Sequence, residues 1–503
     1  VKGHHLTLVR WLEKTLQIRR GEWRGLLRLW WGYIMLSLGV EAARLVAEIL
    51  FVSRAGIHWL PSLFIFQAVV NTAASTGYLA LIHRTRIPQR NLLAGLLFLF
   101  GGSTAVLSVL TGWMGKFWVY GLLFGCVEAG AVMLKIHWGV HILELYSPRS
   151  ASRVFPFLFT GSAVGRSIGG AAIRQGAHLL GLAHLLMVIL AFSMPLAMVL
   201  LYRKKQGESF DDAPPRPPAD APPHSIPKTA PEPAAQFLLT PKSPCPYDRK
   251  ATKRPEKSDL AQDEAIDFSK GPPQQVGTLS SGQMLGGGVS RGILTALKVS
   301  LRSPLLRAMA VSTVLMVLVR HTMRYTSLAV FKHALDETAL AGLLGTYTLM
   351  ANLVALGLQL VIAPRFFRRL GIQAANLLYA VSLVGSLIAL ALSGQLWAAV
   401  SMRFFHTEFK SSMRTPASPI FYFGEPPERR AQARAFILGV IVPASTVLAG
   451  LALQGAQSCF DLATIAWAGG GLALFYVAAC FWQNRAYTRG IAKLRVGDTD
   501  KQR

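Results

Sequence analysis

Arg320 and Arg324 stand four residues apart in an apolar run, residues 304–331, that contains no Asp or Glu. At that spacing they share one face of a helix, where like charges repel. They therefore need carboxylates from another segment or an anionic ligand. Guanidinium groups suit such a ligand because their donors meet phosphate and carboxylate oxygens in pairs. Three other apolar runs carry comparable charge. Glu41, Arg44 and Glu48 occur at i, i+3 and i+7 on one face, which is either a self-neutralising triplet or part of a binding site. Glu128 and Lys135 share a face in the next such run, as a locking pair or as ligands, with Glu144 near its end. Arg403 and Lys410 repeat that spacing around Glu408, and Arg166 stands alone in a fifth run. His137, His141 and Glu144, at i, i+4 and i+7, could present a metal face. No H-E-x-x-H accompanies them, so gating or packing is the expected role and neither metal nor cofactor is expected. The runs lack Ser/His/Asp, paired-Asp and metalloprotease spacings. The chemistry implied is ion binding, and no enzyme is expected.

These charges are conspicuous because of the segments that hold them. Of 503 residues 52% are apolar and only 15% charged, against about 25% in soluble domains. Apolar stretches of about 20 residues, enough to cross about 30 Å of hydrocarbon, recur through both halves. The pattern predicts an all-α polytopic membrane protein with twelve transmembrane helices in two six-helix halves. The predicted spans are 28–51, 60–82, 91–111, 116–144, 154–176 and 180–202, then 304–331, 338–362, 371–393, 396–415, 434–456 and 460–482. Each ionised side chain at mid-bilayer costs about 2.5–3.5 kcal/mol on insertion scales. Apart from Arg166, the charges above fall on spans 1, 4, 7 and 10, the first helix of each three-helix unit.

Loop charge sets the orientation. Arg84, Arg86 and Arg90, then Arg149 and Arg153, then Arg365, Arg368 and Arg369, then Arg429, Arg430 and Arg434 occupy one set of loops. The opposite set has Arg54, Lys116, Arg174 and Lys332, one per loop. Both termini and the central linker are therefore expected in the cytoplasm, and the protein in the cell inner membrane. The net charge of +27 reflects scarce acids: segment 203–303 holds 15 Lys/Arg and 11 Asp/Glu. No nucleic-acid partner is expected. Four cysteines form no C-x-x-C pair, so neither disulfides nor zinc follow. No cleavable signal peptide is expected, because the opening lacks a short apolar core and cleavage site. Residues 1–27 predict a cytoplasmic amphipathic segment, with Leu6, Val9, Leu12 and Leu16 at helical spacing. Residues 28–202 and 304–482 form the two bundles, and 483–503 a tail. Residues 203–303 form a disordered linker, since 15 of the 27 prolines lie in 208–290 and too little apolar surface is available to offset ordering.

The halves repeat. Arg44 and Phe51 match Arg324 and Phe331, and Arg149, Arg153, Phe155 and Gly169 match Arg430, Arg434, Phe436 and Gly450, at nearly the same offset. Parallel six-span halves related about the membrane normal are the build of major-facilitator transporters. In that architecture spans 1, 4, 7 and 10 line a central cavity. Gly161, Gly165 and Gly169 form a small-residue stripe for close helix packing, and Pro156, Pro195 and Pro443 are expected kinks.

Several stretches resemble the ATP/ADP translocases, a nucleotide-exchanging branch with this fold. They are Arg20-Gly21-Glu22; Glu41-x-x-Arg44 running to Leu50-Phe51-Val52-Ser53; Arg149-x-x-x-Arg153-x-Phe155-Pro156 with Gly161 and Gly165; and Phe421-Tyr422 leading through Pro426-Pro427 to Arg429-Arg430 and Phe436. The resemblance spans both halves but not the linker. It implies exchange of a nucleoside triphosphate for a diphosphate, with deep arginines holding phosphates. The acid-free span 7 and the long linker depart from the pattern.

The resulting expectation is an alternating-access secondary transporter, monomeric in the lipid bilayer, for a small organic or phosphorylated anion such as ATP or ADP. Arg44, Lys135, Arg320, Arg324 and Arg403 are its expected contacts. Glu41, Glu128 and Glu408 would balance charge or carry a proton. The alternatives are a proton-coupled exporter of another small molecule and a transport-dead sensor or scaffold.

Overall fold

A computed structural model describes residues 23–84, 89–145, 148–201 and 303–501. The expected amphipathic segment and proline-rich linker lie outside the described residues, as do Arg86 and the side chains of Glu144, Arg149 and Arg153. Every described element is helical. The first half contains α1 (Trp23–Leu50), α2 (Leu60–Arg84), α3 (Gln89–Met114), α4 (Phe117–Leu145), α5 (Pro148–Leu180) and α6 (Leu182–Leu201). The second contains α7 (Pro304–Ala334), α8 (Glu337–Gly357), α9 (Ala363–Ser393) and α10 (Leu396–Phe404). It continues with α11 (Pro427–Phe436, then a π turn Ile437–Ile441, then Val442–Cys459) and ends with α12 (Leu462–Lys501).

Nine of the described helices are long and apolar enough to cross a membrane. α1, α5 and α10 are not among them, and these are the helices that hold Glu41, Arg44 and Glu48, then Arg166, then Arg403. The charge that marks a site also lowers apolarity. Large side chains such as Trp113, Phe98 and Leu179 are more than four-fifths exposed, as expected for a surface solvated by lipid tails.

Local signals set the helix ends. Ser303 caps α7 by accepting a hydrogen bond from Leu306 N at 3.3 Å, with Pro304 in the first turn. Asp336 caps α8 through Ala339 N at 2.8 Å. Both residues satisfy donors that the first helical turn leaves open. The basic run Arg365–Arg369 is helical until Gly371, whose φ of 75° breaks α9 in a conformation that only glycine adopts readily. The predicted tail is also helical, because α12 runs unbroken for 40 residues.

Close backbone approach assembles the halves. The Gly161/Gly165/Gly169 stripe of α5 lies on α1: a Cβ at Gly165 would come within 3.0 Å of Leu38 N. The next residue, Gly170, faces the other half, where its Cβ would stand 2.6 Å from Gly345 O in α8. In the pseudo-symmetric place, Gly450 of α11 lies against α2, with Pro61 O 2.8 Å from where its Cβ would be. Glycine removes the side-chain spacer at each crossing, so α5 meets α8 and α2 meets α11 across the seam. That seam brings the charged faces of α1, α4, α7 and α10 together.

Candidate functional site

Glu48, buried near the end of α1, is the hub of the seam. It accepts from Arg324 Nε at 3.0 Å and from Arg403 Nη2 at 2.5 Å, both on the opposite half. Arg324 also donates to Gln67 Oε1 at 3.3 Å. Its guanidinium carbon lies 5.4 Å from the ring centres of both Phe64 and Phe124. Arg403 lies over Tyr347 at 5.6 Å. Aromatic faces add a cation–π contribution to arginines already held by a carboxylate. Arg324 thus finds the carboxylate its own helix lacks, on span 1.

A second network lies within the first half. Arg44 donates to both oxygens of Glu128, at 2.9 and 3.2 Å, and reaches Glu41 at 3.4 Å. Lys135 donates to Glu41 at 3.2 Å. Of the two roles open to Lys135 and Glu128, a mutual lock is not formed: both residues are paired, but with different partners, because α1 inserts its own acid and base between them. The Glu41/Arg44/Glu48 triplet is not self-contained either, since Glu48 turns to the other half. Glu408 faces Arg166 of α5 at 3.7 Å, and its Oε2 has no hydrogen-bond partner among the described residues.

Arg403 and Lys410 do not share the face expected of them. The chain from Phe405 to Arg414 is a π-helix. Its i→i+5 bonds add a residue to each turn, so seven residues no longer return to one side. Arg403 meets Glu48, whereas Lys410 has no ion pair among the described residues. Arg414, overlooked in the sequence, ends this segment buried, donating to Asn376 Oδ1 and pointing Nε at Met316 Sδ. His137 Nδ1 lies 2.7 Å from the Tyr78 hydroxyl, which gives this member of the suspected metal face a polar partner.

Arg320 differs from all of these. One turn before Arg324, it has no carboxylate partner among the described residues, and its Nε lacks any hydrogen bond. It lines a cavity of about 230 Å³ between the halves, together with Arg44, Arg324, His321, His406 and Asn71. His321 Nδ1, both ring nitrogens of His406 and Asn71 Oδ1 are likewise buried without partners. The large majority of buried polar groups are satisfied in folded proteins, so this concentration of orphans marks a place for solvent or a ligand to complete. His321, His406, Asn71 and Gln67 were missed by sequence reasoning. The one available signal was that both histidines follow arginines by one or three residues within apolar runs.

Beyond Glu48 the seam is closed. Arg54 makes two 2.8 Å hydrogen bonds to the two carboxylate oxygens of Glu337, which hold its guanidinium protonated beyond its ordinary range. Lys332 donates to Ser53 O at 3.1 Å, and Gln457 to His58 O at 3.0 Å. The described hydrogen bonds and ion pairs between the halves all fall from mid-helix to this end. The cavity lies on the other side of Glu48, next to Arg44 and Arg320, each one turn nearer its helix's N-terminus.

No family model matches the chain, and no curated protein matches it in sequence. Solved structures do match. A nucleoside transporter, NupG, superposes with a TM-score of 0.59 at 10% identity, covering 91% of this chain and 98% of that one. The fold is that of the major-facilitator transporters. A POT family transporter in complex with a thioalcohol-conjugated peptide gives 0.58 at 12% identity, covering 92% and 97%. The inward-open xylose transporter XylE from E. coli gives 0.52 at 12%, covering 91% and 94%. At these identities the likeness establishes the fold and not the ATP/ADP-translocase branch.

Proposed function

We propose that this chain is an alternating-access secondary transporter of an organic anion, with its substrate site in the inter-half cavity. The carrying observation is Arg320, a half-buried cation whose buried Nε has no hydrogen bond and which has no carboxylate partner among the described residues, set among unpartnered polar atoms between the halves. An isolated buried charge is costly, and an anion entering the cavity compensates it. Arg44 and Arg324 line the same space and supply further donors. With basic loops placed in the cytoplasm, the closed end at Arg54 and Glu337 is extracytoplasmic, and the cavity faces inward.

Glu48 couples binding to movement. It holds Arg324 and Arg403 of the opposite half, and Arg324 also borders the cavity. A bound anion competes with Glu48 for Arg324, loosening the closed end only when substrate is present. This is the differential affinity that ligand-driven switching requires. The repeat supplies the alternative partner: Glu128, which holds Arg44, corresponds to Glu408 at the offset that relates Arg44 to Arg324. Phosphorylated substrates such as ATP and ADP are the case the sequence resemblance implies. Lys135 contributes at a distance, by neutralising Glu41.

A second reading rests on Glu408, whose buried Oε2 has no hydrogen bond and could accept a proton. It makes the carrier proton-coupled, and strict dependence on a pH gradient without trapped counter-substrate favours it. Thermal unfolding of the purified protein with ATP, ADP or pyrophosphate tests the site itself. Wild type and the R365Q control are expected to gain a saturable upward shift in Tm that R320Q lacks. An equal shift in R320Q contradicts the assignment.

A further inference from the structure

A second cavity lies away from the seam, at the end of the second half where α7 begins and α12 continues past the bundle. It measures about 480 Å³ and is bordered by Arg429, Arg485, Arg489 and Lys493 over an apolar floor that includes Leu305 and Trp482. None of the four cations has a carboxylate partner among the described residues. The acid at this cavity, Glu425, is buried and already accepts from Ser303 Oγ. Arg430 fixes the same loop by donating to Glu425 O at 2.9 Å. The floor is built on tight backbone contact: a Cβ on Gly490 would stand 2.6 Å from Gly424 O. Arg485, Arg489 and Lys493 recur every four residues, so one face of α12 presents all three.

Depth matters as much as charge. Counted from Leu462 at the opposite membrane face, about 20 residues at 1.5 Å each cross the hydrocarbon. Trp482 then lies at the boundary, with Arg485 and Arg489 in the headgroup layer. An aromatic side chain at the boundary with cations just beyond it matches the two parts of a phospholipid, glycerol–acyl junction and phosphate. Trp482 and Phe481 are about half exposed, offering acyl chains an apolar wall.

We infer that this cavity binds the phosphate headgroup of an anionic membrane lipid, clamped between the start of α7, the loop before α11 and the extension of α12. The recognition chemistry is arginine to phosphate oxygen, which a soluble phosphate could share; the apolar wall at headgroup depth selects the lipid. Bound there, the lipid bridges three elements of the second half without touching the transport cavity.

The test is thermal unfolding of the full-length protein in mild detergent, titrated with phosphatidylglycerol, phosphatidylcholine or inorganic phosphate. Phosphatidylglycerol is expected to raise Tm saturably in wild type, in R485K/R489K and in the control R365Q/R368Q, which loses equal charge elsewhere. In R485Q/R489Q its apparent affinity is expected to fall about tenfold or more, as loss of charge-assisted hydrogen bonds predicts. An undiminished response in R485Q/R489Q, an equal loss in R365Q/R368Q, or equal stabilisation by phosphatidylcholine overturns the inference. Stabilisation by inorganic phosphate that R485Q/R489Q abolishes overturns the lipid as the source.

Discussion

Two arginines one turn apart on α7 have opposite energetic roles. Arg324 is neutralised by Glu48 and Arg320 is not. Removing one partner of a buried pair strands the other and typically costs about 3–5 kcal/mol. Removing a buried charge that has no partner takes away a desolvation cost. Arg324→Gln is therefore expected to lower the unfolding temperature of the purified protein. Arg320→Gln is expected to leave it unchanged or raise it, while abolishing substrate binding. Glu48→Gln strands two arginines at once and is expected to destabilise at least as much as Arg324→Gln; calorimetry or dye-based melting in detergent ranks the three. Equal melting of all three contradicts the lock. Sequence alone located most of the charges, because an ionised residue in an apolar run stands out; Arg414, at the very end of its run, did not. It could not assign their partners, since pairing depends on which helix faces meet. Lys135 finds Glu41 rather than Glu128 for that reason, and the π-helix after Phe404 turns Lys410 away from Arg403.

Helix crossings decide whether the charges meet at all. Gly165 packs α5 onto α1 inside one half, whereas Gly170 packs α5 onto α8 across the seam. The first contact belongs to the fold of the half and the second to the closed end. Gly165→Leu is expected to reduce folded yield on size-exclusion chromatography. Gly170→Leu is expected to retain yield and lose flux, because it holds the halves apart at the closed end. The reverse pattern contradicts this division. Arg54 and Glu337 also bridge the seam, but both are substantially exposed, so that pair contributes little to stability. Its position matters more: cross-linking R54C to E337C with a reducible reagent is expected to stop transport, and reduction to restore it. The small-residue stripe was legible as close packing, yet its two facing directions were not, because adjacent glycines at 169 and 170 look alike in sequence.

At the scale of the whole molecule, duplication organises everything described. The repeated Arg44/Arg324 and Glu128/Glu408 positions fall on corresponding helices, yet they bind differently: Arg44 pairs with Glu128 within its half, whereas Arg324 pairs with Glu48 across the seam. The helical membrane architecture was legible because apolar run length is a one-dimensional property. The cavity was not, since its two histidines and Asn71 come from three different helical elements. The proline-rich segment 208–290 holds 15 of 27 prolines. Its deletion is expected to leave flux within about twofold, whereas a scaffold acting through it loses its phenotype. Whether Arg320 holds an anion between the halves is measured in proteoliposomes. Uptake of labelled ATP, ADP and uncharged adenosine is measured with and without trapped unlabelled nucleotide, in wild type and R320Q. Uptake of a phosphorylated compound that needs the trapped partner and disappears in R320Q, with adenosine excluded, is the expected result. Adenosine uptake that persists undiminished in R320Q would contradict it and identify a carrier of uncharged substrates.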